Sequence, residues 1–365
     1  MDRPFPAPRP EVSIIVPARN EEACLRDCLQ SLAAQDGVDF QIIVVDDHST
    51  DRTREIALSF PGVEVISPSP LPSGWTGKNN ALVAGFAEAR GAWLLFTDAD
   101  TVHLPGSLAR ALAEAKQQGA EMLSYSPEQI TVTFWEMATL PVVFAELARQ
   151  YPPRVVSDPA SPAAAANGQY ILIRRETYNA VGGHAAVADS LLEDVALARA
   201  VKSSGRKIRF RYAADAVRTR MYRNFSQLRE GWTKNLALLF PVPVSLAIKT
   251  LALWALAWGA FFFAAIGLRG QIPWLRSILI LGPMSLGVRL RRANFTWDNE
   301  VLGAIFGMPM FAYLLLRSRR AHSRGHVSWK GRRYADSSHL NPGETGVAPQ
   351  GKQSGALNKK PATSN

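Results

Sequence analysis

The chain has 365 residues, 47% of them hydrophobic and 20% charged, which excludes disorder over most of its length and leaves room for more than one buried unit. Its net charge of +10 is unevenly spread: residues 1–200 hold 25 Asp and Glu against 15 Lys and Arg, whereas the remainder is basic and its Arg-rich stretches bracket apolar runs. Such bracketing fits contact with lipid headgroups, not the evenly basic face of a nucleic-acid protein, so a membrane partner and no nucleic acid are expected.

The opening MDRPFPAPRP lacks the apolar core of a cleaved signal, so the segment that follows is expected in the cytosol. Residues 12–16 are an apolar, β-branched run that predicts a strand, and Asn20 with Glu21 and Glu22 predicts the acidic first turn of a helix. Cys24 and Cys28 cannot make a disulfide framework. Four apart in a helical pattern beside Leu25, Leu29 and Leu32, they read as small hydrophobes, with no zinc ligands nearby. Residues 41–45, 63–66 and 92–97 predict further strands; helices are expected after residues 46–51, over 79–89 and over 106–116. This alternation predicts an α/β fold, a mostly parallel sheet covered by helices on both faces, with ligands bound beyond the carboxyl ends of the strands.

Acidic groups gather at those ends. The second strand runs into VVDDHSTD, where Asp51 is read as a helix cap and the adjacent Asp46 and Asp47 as ligand contacts, because neighbouring like charges repel unless something binds them. The fourth runs into FTDAD; residues two apart in an extended segment point the same way, so Asp98 and Asp100 can aim two carboxylates at one hard cation. Mg2+ or Mn2+ would keep several waters there and bridge a substrate diphosphate. GWTGKNNAL places Lys78 at a helix start suited to a phosphate, although its glycines fit neither a P-loop nor a dinucleotide fingerprint. Glu193 and Asp194 open the helical pattern SLLEDVALARAV, which on local grounds needs no more than the helix dipole.

The basic, aromatic stretch RTRMYRNFSQLREGWTKN reads as an interfacial helix ahead of the apolar half. Residues 245–268 carry Lys249 as their only charge and are long enough to cross a bilayer; 272–288, interrupted by Arg276 and Pro283, and 301–316 are shorter candidates. Three crossings would put the Arg-rich tail on the far side, against the preference of Lys and Arg for the cytosol. Either the second candidate stops short, or residues 236–244, broken by Pro241 and Pro243, form a re-entrant or interfacial piece. Beyond Tyr334 the composition predicts a disordered tail. The expected organisation is residues 1–235 as a catalytic unit in the cytosol, 236–318 as a multi-pass anchor in the inner (plasma) membrane, and 319–365 as a basic cytosolic tail.

In this order VSIIVPARNEE, VVDDHSTD, GWTGKNNAL, FTDAD, NGQYILIRRETYNAVGGHAAV, LLEDVAL, RMY and EGWTKN resemble a family 2 glycosyltransferase of the GT-A fold, over roughly residues 11–235. SWKGRRY is similar to a tail motif of membrane-anchored members, and more narrowly the sequence resembles the bacterial branch that includes carotenoid glycosyltransferases. The resemblance implies that Pro17, Ala18, Asn20, Glu22, Asp46, Asp47, Lys78 and Asp98 line a nucleotide-sugar site and that Asp98 and Asp100 hold the metal. It also implies that Asp194, beside Glu193, is the general base of an inverting transfer to a lipid acceptor. Arg220, Gln227, Arg229 and Trp232 fall on the acceptor or diphosphate side; processive relatives carry Q-x-x-R-W there, whereas QLREGW separates Arg from Trp by two residues, which argues against chain synthesis. Arg174, Arg175 and His184 are candidates either for the acceptor side or for structure. The competing readings are a polysaccharide synthase and a non-catalytic membrane scaffold.

Overall fold

The computed structural model describes residues 9–267, 273–291, 295–329 and 331–334, so the expected disordered tail after residue 334 and Lys330 of SWKGRRY lie outside the described residues. The chain begins with β1 (Val12–Ala18), α1 (Leu25–Ala33), β2 (Phe40–Asp46), α2 (Thr53–Leu58), β3 (Val63–Ile66), α3 (Gly77–Glu88) and β4 (Trp93–Phe96). There follow β5 (Thr101–His103), α4 (Ser107–Gln117), β6 (Met122–Ser126), β7 (Glu128–Gln129), α5 (Phe134–Gln150) and α6 (Pro153–Ser157). The α/β unit closes with β8 (Ile171–Arg174), α7 (Arg175–Ala180), α8 (Glu193–Ser203), β9 (Ile208–Tyr212) and β10 (Val217–Thr219).

Seven strands form one sheet in the order β3-β2-β1-β4-β8-β6-β9, and β5, β10 and β7 form a small second sheet. β1 pairs in parallel with β2 and with β4, so the chain leaves β1 in both directions and opens a crevice at their carboxyl ends. Alternate residues of the same strand serve opposite cores. Ile14, Val44 and Leu95 pack with Leu25, Leu29 and Leu32 of α1 and Leu108 of α4; Ile15, Ile43, Val45 and Phe96 pack with Leu82 of α3 and Leu197 of α8. A two-sided burial of this kind explains why the strands read as unbroken apolar runs. The parallel sheet with helices on both faces is as expected; β8, antiparallel to both β4 and β6, is the strand that periodicity did not orient.

Two local expectations change. Asn20 does not open a helix: it holds a left-handed backbone (φ 54°), and α1 begins only at Leu25. Its side chain instead accepts the Thr50 N–H at 2.8 Å, and Glu22 accepts that of Arg52 at 3.1 Å, pinning the turn after β1 to the turn after β2. Asp51 stands one residue before the N-cap position, Arg52, and still serves the helix start, accepting the Thr53 N–H at 3.0 Å. Cys28 is buried in the first core, where burial pushes its thiol up to about 12.

The remaining chain is helical: α9 (Phe225–Leu239), α10 (Pro243–Gly267), α11 (Pro273–Leu290), α12 (Trp297–Leu302) and α13 (Met308–Ser323), then a hairpin of β11 (Val327–Trp329) and β12 (Arg332–Tyr334). Residues 236–244 hold the end of α9 and the break before α10, not a separate re-entrant element. α5, α9, α10 and α13 share an apolar core around Phe240, Met308, Phe311 and Leu315. Ser318 locks α13 to α9, donating to the Thr233 carbonyl at 2.7 Å and accepting from Ala237 N–H at 2.9 Å. Two stretches among the described residues are long and apolar enough to cross a membrane, Pro243–Phe263 and Trp297–Ser323. The segment expected as a middle span is helix α11, which is not one of them; Arg276, Pro283 and Arg289 interrupt its apolar run.

Candidate active site

The carboxyl ends of β1, β2 and β4 open into a cavity of about 300 Å³. Pro17 and Ala18 come from the last turn of β1, Asp47 follows β2, and Asp98 and Asp100 follow β4. α3 supplies Lys78 on its first turn, where the Thr76 hydroxyl accepts the Asn79 N–H at 3.2 Å, and α8 supplies Glu193 and Asp194 on its first turn. Lys78 Nζ joins two of these sources, lying 2.7 Å from Asp98 Oδ1 and 2.7 Å from Glu193 Oε1. Asp194 is held by two backbone donors: Oδ2 accepts the Gly168 N–H at 2.9 Å and Oδ1 its neighbour's, Val195 N–H, at 2.8 Å. Gly168 packs close to this network: a Cβ there would stand 3.1 Å from Lys78 Nζ and 3.3 Å from Glu193 Oε1, so those side-chain ends would have to give by a few tenths of an ångström. The same cavity is lined by the apolar side chains of Phe144, Leu147, Phe210, Met221 and Trp232.

The sequence model described as glycosyl transferase family 2 matches residues 13–181. The chain is 28% identical over 353 residues to 4,4'-diaponeurosporenoate glycosyltransferase of Staphylococcus aureus strain MRSA252, spanning 89% of this chain and 88% of that protein. The protein of the same name from strain USA300 is 29% identical over 343 residues, with the same shares of the two chains covered. The fold resembles that of the mannosyltransferase PcManGT from Pyrobaculum calidifontis, solved in complex with GDP-Man and Mn2+, with a TM-score of 0.50 at 17% identity over 87% of this chain and 88% of that one. The chain carries a family 2 glycosyltransferase domain.

Electrostatics within the transferase site divide its two acids. Burial and the adjacent Glu193 carboxylate raise Asp194 from 3.8 to about 6, against the pull of Lys78 and of its two backbone donors. Glu193 moves the other way: burial raises it, but Lys78 and Lys234 outweigh burial and keep it ionised. Lys78 is likewise desolvated, yet Asp98 and Glu193 hold its ammonium well above the usual range. Lys234, in the EGWTKN run of α9, is lowered by burial despite the pull of Glu193. The site therefore presents one carboxyl poised near neutrality beside a fixed ion-pair network.

Asp98 and Asp100 supply two hard oxygen donors to one cavity, and among the described residues no group of three or more His, Cys, Asp or Glu could hold a metal. A pair of carboxylates that needs substrate oxygens and water to complete its shell suits Mg2+ or Mn2+.

The other residues singled out in the sequence are not all at the cavity. Asn20 and Glu22 tie turns together on its outer side, and Asp46 sits 3.8 Å from Arg54. Arg220 is spent on Glu136, a side chain 1% exposed, to which it donates at 3.2 and 3.3 Å. Gln227 accepts the Arg223 N–H at 2.8 Å and Arg229 lies over the Phe225 ring, so of that quartet Trp232 alone lines the cavity. Arg174 and Arg175 stack on Trp93 and Phe86 at the opposite end of the sheet, and Arg175 donates to the Gly91 carbonyl at 2.6 Å. His184 is buried against Tyr178, its imidazole lowered to about 4 by burial; these three are structural. Local sequence reasoning missed Gly168 and Arg332. Lys234 lay inside a recognised motif, but no local signal separated it from the solvated basic residues around it.

Proposed function

We propose that this transferase moves a sugar from a nucleotide-diphosphate sugar to a lipid acceptor at a membrane surface, with inversion and with a divalent metal. The observation that supports it best is one cavity lined both by Lys78, Asp98, Asp100 and Asp194 and by apolar side chains, several of them from α5 and α9, the helices that pack against α10 and α13. A charged donor and a greasy acceptor would meet there, and the relatives named for a carotenoid acceptor fit that reading.

In this mechanism Asp194 Oδ takes the proton of an acceptor hydroxyl as the oxygen attacks the anomeric carbon from the side opposite the leaving diphosphate. Gly168 and Val195 N–H aim the carboxylate, and its raised basicity suits proton uptake near neutral pH. Lys78, fixed between Asp98 and Glu193, places positive charge where the leaving group gains negative charge. Asp98 and Asp100 would hold the metal, whose chemistry is to neutralise the diphosphate. The apolar wall excludes water that would otherwise compete as acceptor. A second reading is favoured by the relatives' name, which denotes a carboxylate: an acceptor already ionised needs no base, and Asp194 would then orient it.

The test is a panel of UDP-, GDP- and TDP-sugars offered with membrane lipid extract, with Mn2+ or with chelator. A single glycosylated lipid formed only with metal is expected. A polymer would point instead to a synthase, and no turnover of any donor would return the chain to a scaffold.

A further inference from the structure

The hairpin that follows α13 folds back onto the rim where β1, β2 and β4 end, although it is separated from them by the whole helical region. Its Arg332 and Asp47, 285 positions apart, form a forked pair: Nη2 donates to Oδ1 at 2.9 Å and Nη1 to Oδ2. The pair is largely withdrawn from solvent, with side chains 21% and 7% exposed. Nη1 also passes so close to the first residue of α3 that a Cβ on Gly77 would stand 1.5 Å from it. Both partners line the cavity that contains Lys78 and Asp98.

Charge balance gives this contact its meaning. Among the described residues the cavity wall carries six Asp or Glu side chains and four Lys or Arg, one of them Arg332. A nucleoside diphosphate is itself anionic, so every uncompensated carboxylate on that wall opposes its entry. Asp47 stands beside the phosphate-suited start of α3, and a guanidinium is the side chain whose planar fork matches both a carboxylate and a phosphate.

We propose that Arg332 is a donor-binding residue and that the C-terminal hairpin is a strap completing the nucleotide-diphosphate pocket. The guanidinium cancels the Asp47 charge beside the α3 N-terminus, so that this carboxylate no longer opposes an incoming diphosphate. The inference rests on the donor-pocket reading above and extends it to a segment outside the α/β unit.

The test measures binding of UDP, GDP and TDP with Mn2+ by calorimetry and donor KM and kcat in the lipid-extract assay, on the full chain. Arg332→Ala is expected to weaken diphosphate binding and raise donor KM roughly 10- to 100-fold, the loss of a charge-assisted contact, with kcat within a few-fold of wild type. Arg332→Lys restores charge without the fork and falls between. Arg332→Gln keeps much of the side chain's bulk and polarity but loses its charge, and is expected to mimic Arg332→Ala; it carries the measurement if the alanine variant does not fold. Unchanged affinity and KM in these variants overturn the inference while leaving the donor pocket standing. Tighter binding or faster turnover in Arg332→Ala also overturns it, by showing that the strap blocks the pocket. A wild type that binds none of the three diphosphates removes the donor-pocket reading and this inference together.

Discussion

The two halves of the molecule bury their apolar residues in opposite ways. In the α/β half, alternate positions of β1, β2 and β4 enter one core or the other, and Ile14, Ile15, Ile43 and Leu95 are all fully buried. In the helical half, Leu256 is 71%, Phe263 69% and Trp297 70% exposed, in a region whose helices still share a well-packed core around Phe311 and Leu315. A water-facing domain rarely leaves so many large apolar side chains uncovered, whereas helices in lipid have no reason to hide them. The cavity draws on both halves: its six acids come from the α/β half, Lys234 and Arg332 from the remainder, and part of its apolar wall from α5 and α9.

That contrast can be broken at several points. The largest effect is expected in the cavity: Asp194→Asn should lower transfer to a hydroxyl acceptor by about 10²- to 10⁴-fold while donor binding persists, measured by initial rates and calorimetry. Retention of full turnover would leave Asp194 an orienting group and favour the ionised acceptor. Next come the buried strands, where Ile15→Ala should destabilise the fold by about 2–5 kcal/mol, read from chemical denaturation, because a cavity opens between β1 and α3. On the helical side, paired Leu256→Lys and Phe263→Lys should shift the protein out of the membrane fraction, each charge costing about 2.5–3.5 kcal/mol at the centre of a bilayer. The matched control is Leu58→Lys on α2, also 62% exposed but in the α/β half, which should leave the distribution unchanged. If both respond alike, the two halves do not face different solvents.

The smallest effect is the sharpest in shape. Because Asp194 is raised to about 6, its basic form dominates above that pH and is lost below it. Transfer to a hydroxyl should therefore be level above about pH 6 and fall about tenfold for each unit below, and a profile flat down to about pH 5 would support the carboxylate acceptor.

Strands β1, β2 and β4 were legible because burial on both faces leaves runs such as IIV, IIVV and WLLF with no polar position, and their ends could be read because carboxylates cannot continue into such a core. Lys78 was legible as a phosphate-suited helix start, but not its double ion pair, because Asp98 and Glu193 reach it only through the sheet order and the entry of α8. Asn20 misled because acidic residues after it look like a first helical turn, whereas the chain there uses Glu22 and Asn20 to bind another loop. Arg220 and Arg229 looked available for a diphosphate because a sequence shows a charge but not its partner; Glu136 and the Phe225 ring occupy them. Arg332 was beyond local reasoning altogether, since nothing near residue 332 announces Asp47.

The most direct test is the structure of the protein with a nucleoside diphosphate and Mn2+. The diphosphate should lie against the Lys78 ammonium and beside the Asp98 and Asp100 carboxylates, with Asp194 on the far side of the sugar. A diphosphate bound outside this cavity, or within it with its phosphates against Phe144 and Trp232, would contradict this assignment.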